Sequence, residues 1–228
     1  MDSRQFYIGR RAVLAGMGAG LAMAPLGGVA RAAGLGGGLT SLLGNASDST
    51  LDRLSQPGAY YNDKAIRIVL PLFGGTGRLL AKALKAGDRL GLTNNLTRSL
   101  NDAAGLAAHE AKPVFRAAIN QLSLADVPGI ATQNDGATQY LKRTSGVELQ
   151  SRLRPLIDSA LGQVGAFNQL DQLGQRTPLL ATAGITRDRL GGSVTEQALN
   201  GIFKYLGVEE GKLRANPLGG LGGLLKGL

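Results

Sequence analysis

Six polar residues stand in two short segments and could share a site: Glu110 and Lys112 just before Pro113, then Asp135, Thr138, Tyr140 and Arg143. Two carboxylates, two hydroxyls, an ammonium and a guanidinium could hold a ligand, or move protons without histidine or cysteine. Each also has a plain structural role. Asp135 directly precedes a helical pattern, where an aspartate accepts backbone N–H bonds as an N-cap. Ala137, Tyr140, Leu141 and Thr144 recur at three- and four-residue steps, a core-facing stripe that would bury the Tyr140 ring. Arg143 projects off that stripe. Neither Lys112 nor Arg143 has an acidic residue four places downstream to pair with. Together with the unpaired N–H groups of a helix start, these cations favour an anionic ligand, a carboxylate or phosphate head group. Asp135 acting as N-cap would compete for the same N–H groups.

The rest of the composition removes chemistries. The chain of 228 residues holds no cysteine, which excludes thiol nucleophiles, thiolate zinc sites, disulfides and a lipid-anchored N-terminal cysteine. His109 is its only histidine. His109-Glu110 lacks the second histidine of a zinc-binding helix, and no Gly-x-Ser-x-Gly elbow is present. A histidine at a helix end suits the helix dipole instead. Gly74-Gly75-Thr76-Gly77-Arg78 lies where a phosphate loop would, between an extended piece and a helix, but it lacks the Lys-Ser/Thr. No metal, cofactor or catalytic set is expected. Glu210 and Arg214, four apart, read as a surface ion pair, and Asn216 before Pro217 as a helix stop.

The N-terminus reads as an address. Arg10-Arg11 precedes an uncharged run from Ala12 to Ala30, and Ala30-Arg31-Ala32 is a small-x-small cleavage site. Several glycines and Pro25 make the run a poor permanent span. Gly-Arg-Arg-Ala-Val-Leu resembles a twin-arginine signal. The expectation is a signal peptide over residues 1–32, cleavage after Ala32 and a periplasmic mature chain. The whole chain has 25 Lys+Arg against 16 Asp+Glu; residues 1–32 hold four Arg and one Asp, which leaves 21 against 15, or +6. That charge has no basic block or interleaved aromatic run, and aromatics are 4% of the chain, too few for base stacking, so nucleic acid is not an expected partner.

The elements that must position the polar residues are helices. Residues 33–47 and 218–228 are Gly/Leu-rich and read as a linker and a tail, since dense glycine costs backbone entropy. Their leucines allow weak contact with a membrane surface. Between them, residues 48–217 form one helical domain. Residues 48–54 are a short helix, Pro57-Gly58 a turn, and Ile66-Arg67-Ile68-Val69-Leu70 a short extended piece closed by Pro71. Helices follow over 78–90, 93–108, 111–122, 135–144, 147–164, 186–206 and 208–214. Pro113 breaks or kinks the second join, Ser123 caps a further turn, and Pro155 bends or splits the 147–164 helix. That helix has the best apolar face: Leu149, Leu153, Leu156, Ile157, Ala160, Leu161 and Val164. The fold class is all-α, a single multi-helix domain with one short extended segment and Gly/Leu-rich tails.

The order of these pieces resembles the bacterial domain of unknown function family 4197, whose members look like exported helical proteins of this size. The resemblance runs from Pro57 to Pro217. It is carried by Ile66-Arg67-Ile68-Val69-Leu70-Pro71, Asn101-Asp102-Ala103-Ala104, Glu110-Ala111-Lys112-Pro113-Val114-Phe115, Asp135-Gly136-Ala137-Thr138-Gln139-Tyr140, Val194-Thr195-Glu196-Gln197-Ala198-Leu199-Asn200-Gly201 and Glu209-Glu210-Gly211-Lys212-Leu213-Arg214-Ala215-Asn216-Pro217. The resemblance implies location and fold and no activity. Asn134 and Gly105 stand where the family pattern tends to have acids, which counts against acid–base or metal roles there.

The function expected from all of this is a periplasmic, non-enzymatic module that binds a small anionic ligand or an envelope partner. The alternatives are a hydrolase-like enzyme built on carboxylate, tyrosine and arginine, and a structural envelope protein.

Overall fold

The computed structural model describes residues 26–71, 91–123, 133–176 and 185–216. The regular structure among them is helical throughout: α1 Leu26–Leu54, α2 Ala59–Asn62, α3 Leu92–Glu110, α4 Lys112–Asn120, α5 Gly136–Gln163, α6 Ala166–Arg176 and α7 Arg187–Ala215. The first 25 residues, the glycine-rich loop at 74–78, the helix over 78–90, the turn after Ser123 and the tail over 218–228 lie outside the described residues. Among the described residues no helix is long and apolar enough to cross a membrane.

Helices α5 and α7 form the most extensive pairing, and both are longer than their sequence pieces suggested. The helices over 135–144 and 147–164 are one element, α5. Its buried side chains Leu141, Ser145, Leu149, Leu153, Ile157 and Leu161 fall every fourth residue, a single stripe that continues through the proline. Pro155 is exposed on the opposite face, so it does not split the helix. Ser151, whose carbonyl it deprives of a donor, is an exposed residue. Gly165, at φ 71, turns the chain into α6, a helix not among those expected. The pieces 186–206 and 208–214 are likewise one helix, α7. Thr186 caps it, its Oγ1 accepting the Arg189 N–H at 3.2 Å.

Glycine in this fold marks close approach more than looseness. A Cβ on Gly201 of α7 would sit 3.0 Å from the Tyr60 ring and 3.3 Å from Ile66. One on Gly207 would sit 3.2 Å from the Asp135 Cβ. The largest correction to the sequence reading is at the N-terminal side. In place of a linker over 33–47 the structure has the continuous helix α1, with Leu43, Ala46, Leu51 and Leu54 buried against the core. The Arg116 guanidinium lies where a Gly44 side chain would be and binds Asp48 (Nη2–Oδ2 2.6 Å), and Lys112 pairs with Asp52 one turn on. Tertiary packing of one face outweighs the helix propensity of glycine.

The short extended segment is present, without a ladder. Ile66, Ile68 and Leu70 point inward and Val69 outward at 55% exposure, the alternation of an extended chain. Two side-chain amides supply the partners that neighbouring strands would give. Asn101 of α3 accepts the Ile68 N–H at 2.8 Å and donates to the Ile68 carbonyl at 2.8 Å. Gln197 of α7 does the same for Val69, at 3.0 Å in each direction. The segment is thereby stitched between two helices, with the N–H and carbonyl of both Ile68 and Val69 partnered. Tyr60 beside it is fully buried and donates its hydroxyl to the Ala198 carbonyl at 3.2 Å; burial pushes its phenol above the usual range.

Candidate functional site

The start of α5 is buried: Gly136, Ala137 and Thr138 all pack inside, so their N–H groups need a protein partner. Asp135 does not provide it. Its side chain makes no capping bond, and Asp135 Oδ2 accepts from Gln139 Nε2 at 2.9 Å instead. The partner is Glu210, near the end of α7, at 0% exposure. Glu210 Oε1 accepts the Ala137 N–H at 3.0 Å, and Oε2 accepts the Thr138 N–H at 2.7 Å and the Thr138 hydroxyl at 2.6 Å. Arg214 completes the shell, donating from Nε at 2.9 Å and Nη2 at 2.6 Å to Oε1. A buried carboxylate is tolerable here because a helix dipole, three donors and a guanidinium all face it. The surface pair expected at Glu210 and Arg214 is therefore an internal cap, and the N-cap expected at Asp135 is replaced by it.

Beside this closed end runs an open groove of about 480 Å³ between the start of α5 and the middle of α7. Lys142, Lys204, Asn200 and Gln139 supply polar groups, and Phe203 and Val208 supply apolar surface. Lys142 Nζ lies 3.5 Å from Asn200 Oδ1 and 5.7 Å from the Phe203 ring centroid. Phe203 is fixed from behind by an edge contact with Phe115, centroids 6.2 Å apart. Asp135 is the one acid of the wall, and Gln139 already donates to it. Gly207 keeps the helices close enough to form the groove floor.

Of the six residues singled out from the sequence, Asp135 and Thr138 line this groove; the others do not. Glu110 is exposed at the end of α3. Lys112 has an acidic partner, Asp52, on a different helix. Tyr140 is half-buried against the core, and Arg143 stands over it, Cζ 5.9 Å from the ring centroid. The missed residues are Lys142, Lys204, Asn200, Phe203 and Val208. Lys142 sits next to Arg143 off the α5 stripe, so it had the same sequence signal; Lys204 had none until α7 met α5.

A second polar cluster joins α1, the turn after α2 and α7. The Tyr205 hydroxyl donates to Asp63 Oδ2, and Arg53 stacks on the Tyr205 ring, 4.2 Å from Cζ to centroid. The Tyr205 hydrogen bond, then the Ala65 N–H, holds the Asp63 carboxyl below the usual range. The same hydrogen bond pushes the Tyr205 phenol up. Among the described residues no group of three or more His, Asp or Glu side chains could hold a metal ion.

A family model described as "Protein of unknown function (DUF4197)" matches residues 31–228. No curated protein and no solved structure matches the chain.

Proposed function

The chain belongs to the DUF4197 family over residues 31–228, and from that premise we propose that it is an exported, periplasmic, non-enzymatic module that binds a small anionic ligand in the α5–α7 groove. The observation that carries this reading is the wall of the groove: two ammonium groups, Lys142 and Lys204, face an opening of about 480 Å³ whose single carboxylate is engaged by Gln139. Phe203 and Val208 suit a ligand with an apolar part beside its charge. The N–H groups of the α5 start play no part, because Glu210 takes two of them.

The enzyme reading finds its carboxylate, tyrosine and arginine together at Asp63, Tyr205 and Arg53. The directions of their shifts weigh against it. An acid held low is a weak general base at neutral pH, and a phenol pushed up is a weak acid. These are the shifts of a structural hydrogen bond.

The test is a thermal-shift titration with mono- and dicarboxylates and with phosphate esters, each against chloride at equal ionic strength. A ligand that binds only the folded state raises Tm with its concentration. The expected result is a saturable rise for at least one organic anion, absent in Lys142→Ala/Lys204→Ala. Equal rises in the wild type and the double variant would remove the groove as the site. Export is tested separately by N-terminal sequencing, with a mature start at Ala33 expected.

A further inference from the structure

Tyr61, in the single turn α2, carries two guanidinium groups on its ring. Arg67 Cζ lies 4.9 Å and Arg98 Cζ 4.6 Å from the ring centroid. Both are delivered by well-fixed backbone. Arg67 precedes Ile68, whose N–H and carbonyl are held by Asn101, and Arg98 stands three residues before Asn101 on α3. Arg67 also donates its Nε to the Tyr61 carbonyl, and among the described residues its two terminal nitrogens have no hydrogen-bond acceptor.

What distinguishes this pair is that two guanidinium groups share one ring and neither has an acid partner. Among the described residues neither Arg67 nor Arg98 has a carboxylate within ion-pair distance, whereas Arg116, Arg152, Arg154, Arg187 and Arg214 each have one. Asp102, one turn after Arg98 on the same helix, is exposed and makes no ion pair with it. The face of the tyrosine ring offsets part of the two positive charges. Two like charges beside one small ring still repel, and an anion drawn to them offsets that repulsion. Stacking has also restricted both side chains beforehand, so less rotamer entropy remains to be lost on binding.

We propose that Arg67, Arg98 and Tyr61 form a second anion site, separate from the lysine groove, that takes a phosphate group. A planar guanidinium presents a fork of donors matched to the oxygens of a phosphate, and two such forks suit a dianionic phosphomonoester or the phosphate of a lipid head group. Lys64, exposed two residues after Asn62, adds to the positive potential of the same stretch.

The experiment follows the arginine Nε–H resonances of the full chain during titration with inorganic phosphate, chloride being used to hold ionic strength constant. The result expected is a saturable shift of Arg67 and Arg98 together. Arg98→Gln, an exposed change that should leave Tm unaltered, should weaken phosphate binding about tenfold or more, the loss of one charge-assisted contact. Lys142→Ala/Lys204→Ala should leave it unchanged. Sedimentation with phosphatidylglycerol vesicles but not phosphatidylcholine vesicles, lost in Arg98→Gln, identifies a lipid head group. Saturation by phosphate with no sedimentation identifies a soluble phosphomonoester. A linear, unsaturable shift, or equal affinity in wild type and Arg98→Gln, overturns the proposal.

Discussion

Thr138 at the start of α5 and Lys142 in the groove lie four residues apart along one helix, yet their surroundings handle charge in opposite ways. At Ala137 and Thr138 the buried N–H donors are taken up inside the protein by Glu210, whose carboxylate also accepts from Arg214. At Lys142 the ammonium leans on an amide oxygen 3.5 Å away and an aromatic face, and faces open space. The first arrangement is complete without a ligand. The second presents cations to whatever enters. A polar cluster on a helix N-terminus is thus a poor guide to a binding site until its partners are counted, because the same N–H groups that attract anions also attract the protein's own carboxylates.

The comparison breaks most sharply at Glu210. Glu210→Ala leaves the Ala137 and Thr138 N–H groups and Arg214 without their carboxylate; loss of one partner of a buried pair costs about 3–5 kcal/mol. Urea unfolding at pH 7 measures it, and a loss under about 1 kcal/mol, the range of an exposed pair, would mean the end of α5 is open to water. Next come the stripe residues that hold α5 against its neighbours. Leu153→Ala and Leu161→Ala should each cost about 2–5 kcal/mol, since both side chains are fully or almost fully buried. The amide stitches come third. Asn101→Ala strips the buried Ile68 N–H and carbonyl of their partner and should cost about 1–3 kcal/mol.

Smaller effects sharpen the contrast from the other side. Asp135→Ala should change stability by less than about 0.5 kcal/mol, because its side chain caps nothing. A loss of about 1 kcal/mol, as for an N-cap aspartate, would return it to the capping role. The Asp63–Tyr205 hydrogen bond adds a pH signature. Its carboxyl is held below the ordinary 3.8, so the stability it contributes is in place above that value and is lost as pH falls through the lowered one. Asp63→Asn should flatten the acid limb of Tm against pH. An unchanged limb would show that this bond does not form in solution.

How much of this was legible in the sequence depends on distance along the chain. The α5 stripe from Leu149 to Leu161 and the β-branched extended piece from Ile66 to Leu70 are local patterns, and both are present in the fold. Asp135 carried a local signal for capping that lost to a residue 73 positions away from Ala137. The four-residue spacing of Glu210 and Arg214 was real, but spacing says nothing about what lies on their far side. Glycine density made residues 33–47 read as a linker. The ion pairs from Arg116 and Lys112 that hold α1 come from α4, and no window on α1 contains them. The groove was invisible for the same reason: Lys142 and Lys204 meet only once α5 and α7 pack.

The central claim is that the ligand-facing charge of this molecule lies in the groove and not at the helix end. Native mass spectrometry of the protein purified from its own cells tests it most directly, with three samples: wild type, Lys142→Ala/Lys204→Ala and Asp135→Ala. The account predicts an added mass on the wild type, kept by Asp135→Ala and lost from the double lysine variant while its folded charge-state distribution is unchanged. A mass retained in full by the double lysine variant would contradict it.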